Sequence, residues 1–498
     1  YWVVATFISP ETAADAASDE GSLRLRWESR RVAWFYVCLM AIATYELGRV
    51  IAGAGVGVAA ALAAGSCLIV FRFGRFVIPD VFLMTWVTVT NVFLAHAVLR
   101  GRPWLLLPAA AAAGLGFMHK GPPLLVQTIV PMLAYAALAR WSKHDPLPQP
   151  EGGREGGRPI APLLLSLLVF LAIVLPWPIA MLARDPEVWR LWRVEIFRDD
   201  AIPQPPDKWY NYIDLFRLLL PWTPWFIIGL ILATVAAVPR WRQRMPDDGP
   251  DIDRARARLL MPLLLVVVPI LIMSFFPERR DRYLLPMIPA AAVLVAGAID
   301  EHIRSATRRN WIDTLLATAH WLVLTGMIVS LALFIRETPG TPAHAWAGVV
   351  TGSALLLGGL ALWWRWRLTL PWSAAAVMLA WQFGYYAAWP HAKSAQIPLR
   401  PLATEIKATF PDAEIHMAQY DGEIGYLDVP QAELSLLLNR IIPHAPSPAA
   451  LDAAPPRILI LLGTRGDEPR PPSDRWQLWR QVHFEKARFD VFIPKNDG

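Results

Sequence analysis

Arg72-Phe73-Gly74-Arg75-Phe76-Val77-Ile78-Pro79-Asp80 runs directly into VFLMTWVTVTNVFLAHAVL over Val81–Leu99. The second stretch is apolar, lacks Asp, Glu, Lys and Arg, and is long enough to cross a bilayer, which takes about 20 such residues as a helix. Two guanidiniums and a carboxylate stand at its mouth. Ionisable groups at a membrane edge are costly unless they pair or work. This join of charged phrase and apolar helix makes the chain a polytopic α-helical membrane protein with chemistry at one membrane face.

The same template, moved outward, gives about twelve spans, at 32–48, 52–71, 80–99, 103–118, 122–139, 160–182, 213–238, 258–276, 283–299, 312–335, 345–364 and 369–389. Composition agrees. The chain is 55% hydrophobic and 18% charged, against about 45–50% and about 25% in ordinary globular proteins. A soluble enzyme is excluded as the whole molecule, and so is disorder. The 24 Trp and 45 Pro fit interfacial anchoring and the tolerance of membrane helices for proline. The net charge of +6 is not gathered into a long basic tract, so it sets orientation, and nucleic acid is not an expected partner. Cys38 and Cys67 both lie in apolar runs, with no spacing for zinc or a disulfide framework.

The loops fall into two alternating sets. The first, including Arg49, Arg100, Arg102, 140–158, 240–258 and 304–309, holds 18 Lys and Arg; the second holds 12. The positive-inside rule puts the first in the cytoplasm. The phrases at 72–80, 119–120, 184–212 and 277–283 then share the extracytoplasmic face. Two domains are expected: residues 1–390 in the membrane, and residues 391–498, with 12 basic and 14 acidic residues, as a small extracytoplasmic α/β domain. There 413–419, 457–462 and 489–493 read as strands, and 402–409 and 474–482 as helices.

Four phrases on the shared face carry candidate chemistry. Asp80 follows Pro79 at a helix start, where a carboxylate either caps the helix or serves a site. Lys120, in Met118-His119-Lys120-Gly121-Pro122-Pro123, either snorkels to water or meets an anion. The stretch Asp207-Lys208-Trp209-Tyr210, with Leu220-Pro221-Trp222-Thr223 after it, is aromatic and interfacial. In Pro277-Glu278-Arg279-Arg280-Asp281-Arg282-Tyr283, three Arg run against the orientation bias. They either grip a phosphate-sized anion by bidentate hydrogen bonds or are neutralised by Glu278 and Asp281. No Walker, HExxH or GxSxG pattern is present, and Asp251-Ile252-Asp253 reads as a solvated charge run.

In this order the phrases resemble polyprenyl-phosphate-dependent glycosyltransferases of the C-type membrane fold, the protein O-mannosyltransferase and aminoarabinose transferase group. Tyr1-Trp2 is similar to the end of that family's Lys-Pro-Pro-Leu-Tyr-Tyr-Trp segment. Trp27-Glu28-Ser29-Arg30-Arg31 and Tyr45-Glu46-Leu47-Gly48-Arg49 are similar to the approach to its next span and the exit from it. Arg75 to Asp80 resembles Arg-Phe-x-x-Pro-Asp, His119-Lys120-Gly121-Pro122 resembles Thr-Lys-Gly-Pro, and Arg280 to Pro286 resembles Arg-x-x-Tyr-x-Leu-Pro. The likeness runs from residue 1 to about residue 300.

The resemblance implies a glycosyltransferase of the cell envelope, acting in protein glycosylation or lipid A modification. A sugar passes from a polyprenyl-phosphate donor to a protein hydroxyl, a lipid A-like glycolipid or a cell-wall glycan, at the outer face of the bacterial inner membrane. It implies donor-phosphate binding by Lys120, Arg280, Arg282 and Tyr283, a substrate loop with Arg75, Asp207, Lys208, Trp209 and Tyr210, and Asp80 as the family's second acidic position. The family's principal acid lies in an Asp-Glu pair upstream of Tyr1. The chain is therefore expected to be the larger part of an enzyme cut at its N-terminus, and the missing pair puts the activity of this part alone in doubt. No cofactor is implied, and a divalent metal is unsupported, because Arg198–Tyr212 lacks the His that some relatives use. A flippase for a lipid-linked precursor would show internal repeats, and none is evident between the halves. A non-catalytic lipid-binding relative is the third reading.

Overall fold

The structure, a computed structural model, describes residues 8–9, 11, 19–141, 160–185, 189, 212–238, 258–276, 279–304, 311–338, 340–363, 369–394, 399–411, 413–419, 434, 438, 442, 458–464, 473–484 and 487–495. It divides into two units, one of Arg30–Phe334 with Trp346–Gly384, the other of Tyr1–Ser29, Ile335–Ala345 and Tyr385–Gly498.

Helices dominate: α1 (Asp19–Ala52), α2 (Ala54–Ser66), α3 (Leu68–Phe73), α4 (Pro79–Leu99), α5 (Leu106–Lys120), α6 (Pro123–Gln127), α7 (Ile129–Trp141), α8 (Ile160–Val174), α9 (Pro176–Arg184), α10 (Asp214–Leu218), α11 (Thr223–Ala237), α12 (Leu260–Met273), α13 (Ile288–Arg304), α14 (Trp311–Glu337), α15 (Trp346–Trp363), α16 (Thr369–Ser394) and α17 (Leu399–Thr409). A 3-10 turn, Asp281–Met287, leads into α13. Among the described residues, six helices have the length and composition to cross a membrane: Trp27–Ala52, Pro79–Leu99, Ile160–Arg184, Asp281–Arg304, Thr314–Glu337 and Ala343–Trp363. Ala54–Ser66, Pro123–Leu138, Thr223–Ala237 and Leu260–Met273 are apolar but shorter. The protein is thus a multi-pass integral membrane protein. The expected span at 52–71 is broken, because Cys67 takes an extended backbone between α2 and α3.

Lipid tails are as apolar as leucine, so membrane helices associate through close packing and polar contacts rather than through a hydrophobic drive. Small residues at the crossings show this. A side chain at Gly229 on α11 would overlap the Leu294 carbonyl of α13, and one at Gly116 on α5 would overlap Leu124 of α6. Leu83 and Val87 of α4 bury against Ala113 of α5 and Leu124, with Trp86 and Phe170 alongside. These contacts fix the α4–α5–α6 corner that carries Asp80 and Lys120.

The second unit contains a four-stranded sheet: β1 (Ile415–Gln419), β2 (Ile458–Thr464), β3 (Trp476–Phe484) and β4 (Ala487–Pro494), in the order β1-β2-β4-β3. β1 pairs parallel to β2, and the other two pairings are antiparallel. Leu402 and Ile406 of α17 pack on Ile415, Met417, Ile458, Ile460 and Val491, while Leu459, Leu461, Trp476 and Phe492 form a second cluster. The expected helix at 474–482 is instead strand β3. It forms a hairpin with β4, and a bulge between Leu478 and Arg480 disturbs the alternation that marks a strand in sequence.

Candidate functional site

Asp80 is the second residue of α4, behind Pro79 at the first helical position and Ile78 at the cap. The hydrogen bond that its carboxylate accepts comes from a side chain, Lys120, and not from an amide of the first turn. It is only 2% exposed, and both carboxylate oxygens face cations. Oδ1 accepts a hydrogen bond from Lys120 Nζ, and Oδ2 lies 3.5 Å from Arg282 Nε. The capping alternative is therefore set aside, although the first turn still favours a negative charge through the helix dipole.

Lys120 is the last residue of α5. The helix stops there because Gly121 takes a positive φ of 73°, a conformation open to glycine without strain, and two prolines follow. The stop aims the lysine back towards α4. Its ammonium also lies 4.1 Å from the centroid of the Tyr283 ring, within reach of a cation–π contact. Tyr283 and Arg282 come from the 3-10 turn, whose amide at Tyr283 donates to the Arg280 carbonyl at 2.9 Å. Segments far apart in sequence thus assemble Asp80, Lys120, Arg282 and Tyr283. Lys120 is 23% exposed and Arg282 34%, so the cations border an accessible region while the carboxylate behind them does not.

A second ring of charge lies beside this cluster. Arg72 Nη1 of α3 donates to Asp281 Oδ2 at 2.8 Å, and Arg217 Nη2 of α10 stands 3.8 Å from the same oxygen. Arg217 also donates to Asp214 at 2.9 Å. Asp281 therefore serves arginines of two remote segments. Sequence reading missed Arg217; the Asp214–Arg217 spacing of three on a helix was the available signal.

Arg75 is half-buried, with its guanidinium 4.9 Å from the Phe76 ring centroid. Arg280 is half-buried at the head of the turn. Asp207, Lys208, Trp209 and Tyr210, expected in a substrate loop, lie outside the described residues, as does Glu278. No group of three or more His, Cys, Asp or Glu able to hold a metal occurs among the described residues.

An anchoring network flanks the site. Trp222 Nε1 donates to Ser66 Oγ at 3.1 Å, and the Leu68 amide donates to the Leu220 carbonyl at 2.9 Å. These bonds tie the Leu220-Pro221-Trp222 segment to the α2–α3 break that carries Arg72. Trp225 Nε1 donates to His320 Nδ1 at 3.1 Å, which leaves Nε2–H of His320 to donate to the Leu370 carbonyl at 3.2 Å.

The fold is matched by crystal structures of ArnT from Cupriavidus metallidurans. The apo form superposes with a TM-score of 0.60 at 16% identity, covering 93% of this chain and 83% of that one. The form bound to undecaprenyl phosphate gives 0.61 at 15% identity, covering 93% and 84%. The chain thus shares the fold of these membrane proteins. Residues 24–152 match the dolichyl-phosphate-mannose-protein mannosyltransferase family model. Curated relatives include the undecaprenyl phosphate-alpha-4-amino-4-deoxy-L-arabinose arabinosyl transferases of Serratia proteamaculans (strain 568), 23% identical over 309 residues, and Yersinia pestis (strain Pestoides F), 25% identical over 362 residues. These matches cover 59% and 68% of this chain, and 50% and 59% of the relatives. The chain therefore spans half to three-fifths of the length of the curated relatives it matches.

Proposed function

We propose that this protein transfers a sugar from a polyprenyl-phosphate donor to a glycolipid acceptor at the outer face of the bacterial inner membrane, with residues 391–498 as a periplasmic domain. The observation that carries the reading is the convergence of Lys120, Arg282 and Tyr283 on one partly open cluster. The printed activity of the arabinosyl transferase relatives, and the undecaprenyl phosphate held by one solved neighbour, support donor and reaction type.

Lys120 and Arg282, with Arg280 beside them, hold the donor phosphate. The acceptor oxygen attacks the anomeric carbon as its proton passes to a carboxylate. The bond from that carbon to the phosphate oxygen breaks, and its electron pair leaves on polyprenyl phosphate. Charge grows on the leaving phosphate, where fixed cations in a site of low polarity give their largest effect. Arginine adds a planar fork that matches phosphate oxygens two at a time. Arg75 and the segment Asp207, Lys208, Trp209 and Tyr210 border the substrate in this reading.

The test supplies membranes containing the protein with a labelled polyprenyl-phosphate sugar and measures label in the glycolipid fraction. Lys120→Ala and Arg282→Ala are each expected to lower transfer at least tenfold. Wild-type transfer by both variants sinks the reading.

A further inference from the structure

We infer that Asp80 is a positioning residue, the buried counter-ion that aims Lys120 and Arg282, and does not itself handle the acceptor proton. The inference rests on the reading of this cluster as a phosphate cradle, and it departs from the expectation that Asp80 is a catalytic carboxylate.

A general base must come within about 2.6–3.2 Å of the proton that it takes. Asp80 is 2% exposed, with Oδ1 on Lys120 and Oδ2 towards Arg282. No acceptor hydroxyl reaches either oxygen without displacing a cation that the donor phosphate needs. The geometry suits support instead. Arg282 turns Nε inwards to Asp80 at 3.5 Å, an ion-pair contact rather than a hydrogen bond. The buried carboxylate thus draws the guanidinium in on its Nε side by charge, and the planar fork of an arginine suits the oxygens of a phosphate-type anion. Lys120 is held between the carboxylate and the Tyr283 ring. An ammonium fixed on two sides loses less rotamer freedom when a phosphate arrives than one that swings on a four-carbon stem.

The two roles predict opposite changes in anion binding. Removing a base leaves phosphate affinity unchanged, or raises it by deleting a nearby negative charge. Removing a support lowers it. The experiment places the protein in nanodiscs and titrates undecaprenyl phosphate against wild type, Asp80→Asn and Asp80→Glu, recording Kd and the number of binding sites. Turnover at saturating donor is measured alongside. Asp80→Asn is expected to raise Kd about tenfold, at the low end of the loss seen when the partner behind a metal-holding side chain is removed. The number of sites stays the same, and turnover at saturation falls by a smaller factor. Asp80→Glu, which keeps the charge one methylene further out, is expected to restore part of the affinity.

A Kd at or below wild type in Asp80→Asn, with turnover collapsed, overturns the inference in favour of an acid–base role. Fewer sites at an unchanged Kd overturns it in favour of a purely structural one. Should Asp80→Asn not accumulate, Asp80→Glu decides alone, since a wild-type Kd there rejects positioning. Wild-type protein that fails to bind undecaprenyl phosphate removes the cradle reading itself, a result separate from either of these.

Discussion

The Lys120 ammonium lies over the face of Tyr283, 4.1 Å from the ring centroid, although the two residues are far apart in sequence. The electron-rich ring face attracts the cation, an effect of about 0.5–2 kcal/mol that grows as water is excluded. Tyr283→Leu is therefore expected to weaken polyprenyl phosphate binding by roughly two- to thirtyfold. Tyr283→Phe keeps the face and stays within about twofold of wild type. Equal Kd values for the Leu and Phe variants would show that the ring face does not hold the lysine.

The pair of Arg72 and Asp281 tests a different scale of effect. The bond measures 2.8 Å, but the arginine is 49% exposed and the aspartate 25%. Exposed pairs of this kind contribute about 0.2–1 kcal/mol and weaken in salt. A double-mutant cycle of Arg72→Ala and Asp281→Ala, read by thermal unfolding in detergent, should give a coupling of that size that shrinks between low and high salt. A coupling of several kcal/mol, or one indifferent to salt, contradicts the geometry.

These two pairs also show what the sequence made legible. Lys120 and Arg282 stood out because they sat in the loop set that the positive-inside rule assigned away from the cytoplasm, against the orientation bias, and Asp80 because it opened a span. Each sat in a short phrase whose composition was itself unusual. Partnership was not legible. Asp281 looked like a neutraliser of its neighbours Arg280 and Arg282, yet it bonds Arg72 and approaches Arg217. Such pairings depend on which helix ends meet, and side-chain period within one helix carries no record of that. The break of the 52–71 span at Cys67 was hidden likewise, since an extended residue inside an apolar run leaves hydropathy unchanged. In the sheet, β2 and β4 were read from their apolar runs, whereas the bulge in β3 disturbed the alternation and let a helix be assigned.

Trp225 and His320 form a buried contact whose value lies mostly in what its loss leaves behind. Both side chains are fully buried, and the indole N–H meets Nδ1 at 3.1 Å. Trp225→Phe removes the donor and strands the imidazole nitrogen, at about 1–3 kcal/mol. His320→Leu strands the indole N–H at a similar cost. The double variant removes both polar partners of that bond, so its melting temperature should lie well above the value that additive losses predict. Strict additivity across this cycle argues that the two side chains do not share the bond.

Arg488 and Asp490 of β4 are 2% and 0% exposed and lie two residues apart, on the strand face that also carries Phe492. Arg488 Nε donates to Asp490 Oδ2 at 2.8 Å, and Gln481 of β3 donates to Oδ1 at 2.8 Å. Taking two charges out of water is costly, and their attraction roughly offsets that cost while both remain. Deleting one charge leaves the other buried without compensation, a loss of about 3–5 kcal/mol. Asp490→Asn keeps the shape and an acceptor for Gln481 but sets an amide donor against Arg488 Nε–H, so it removes both the charge and that hydrogen bond. It should open the region around the sheet to limited proteolysis at temperatures where the wild type resists. Arg488→Met combined with Asp490→Leu removes both charges from a face already shared with Leu459, Leu461 and Phe492. That variant should be more resistant than Asp490→Asn, although Gln481 loses its partner. If it is cleaved faster, the pair stabilises the sheet by more than mutual neutralisation.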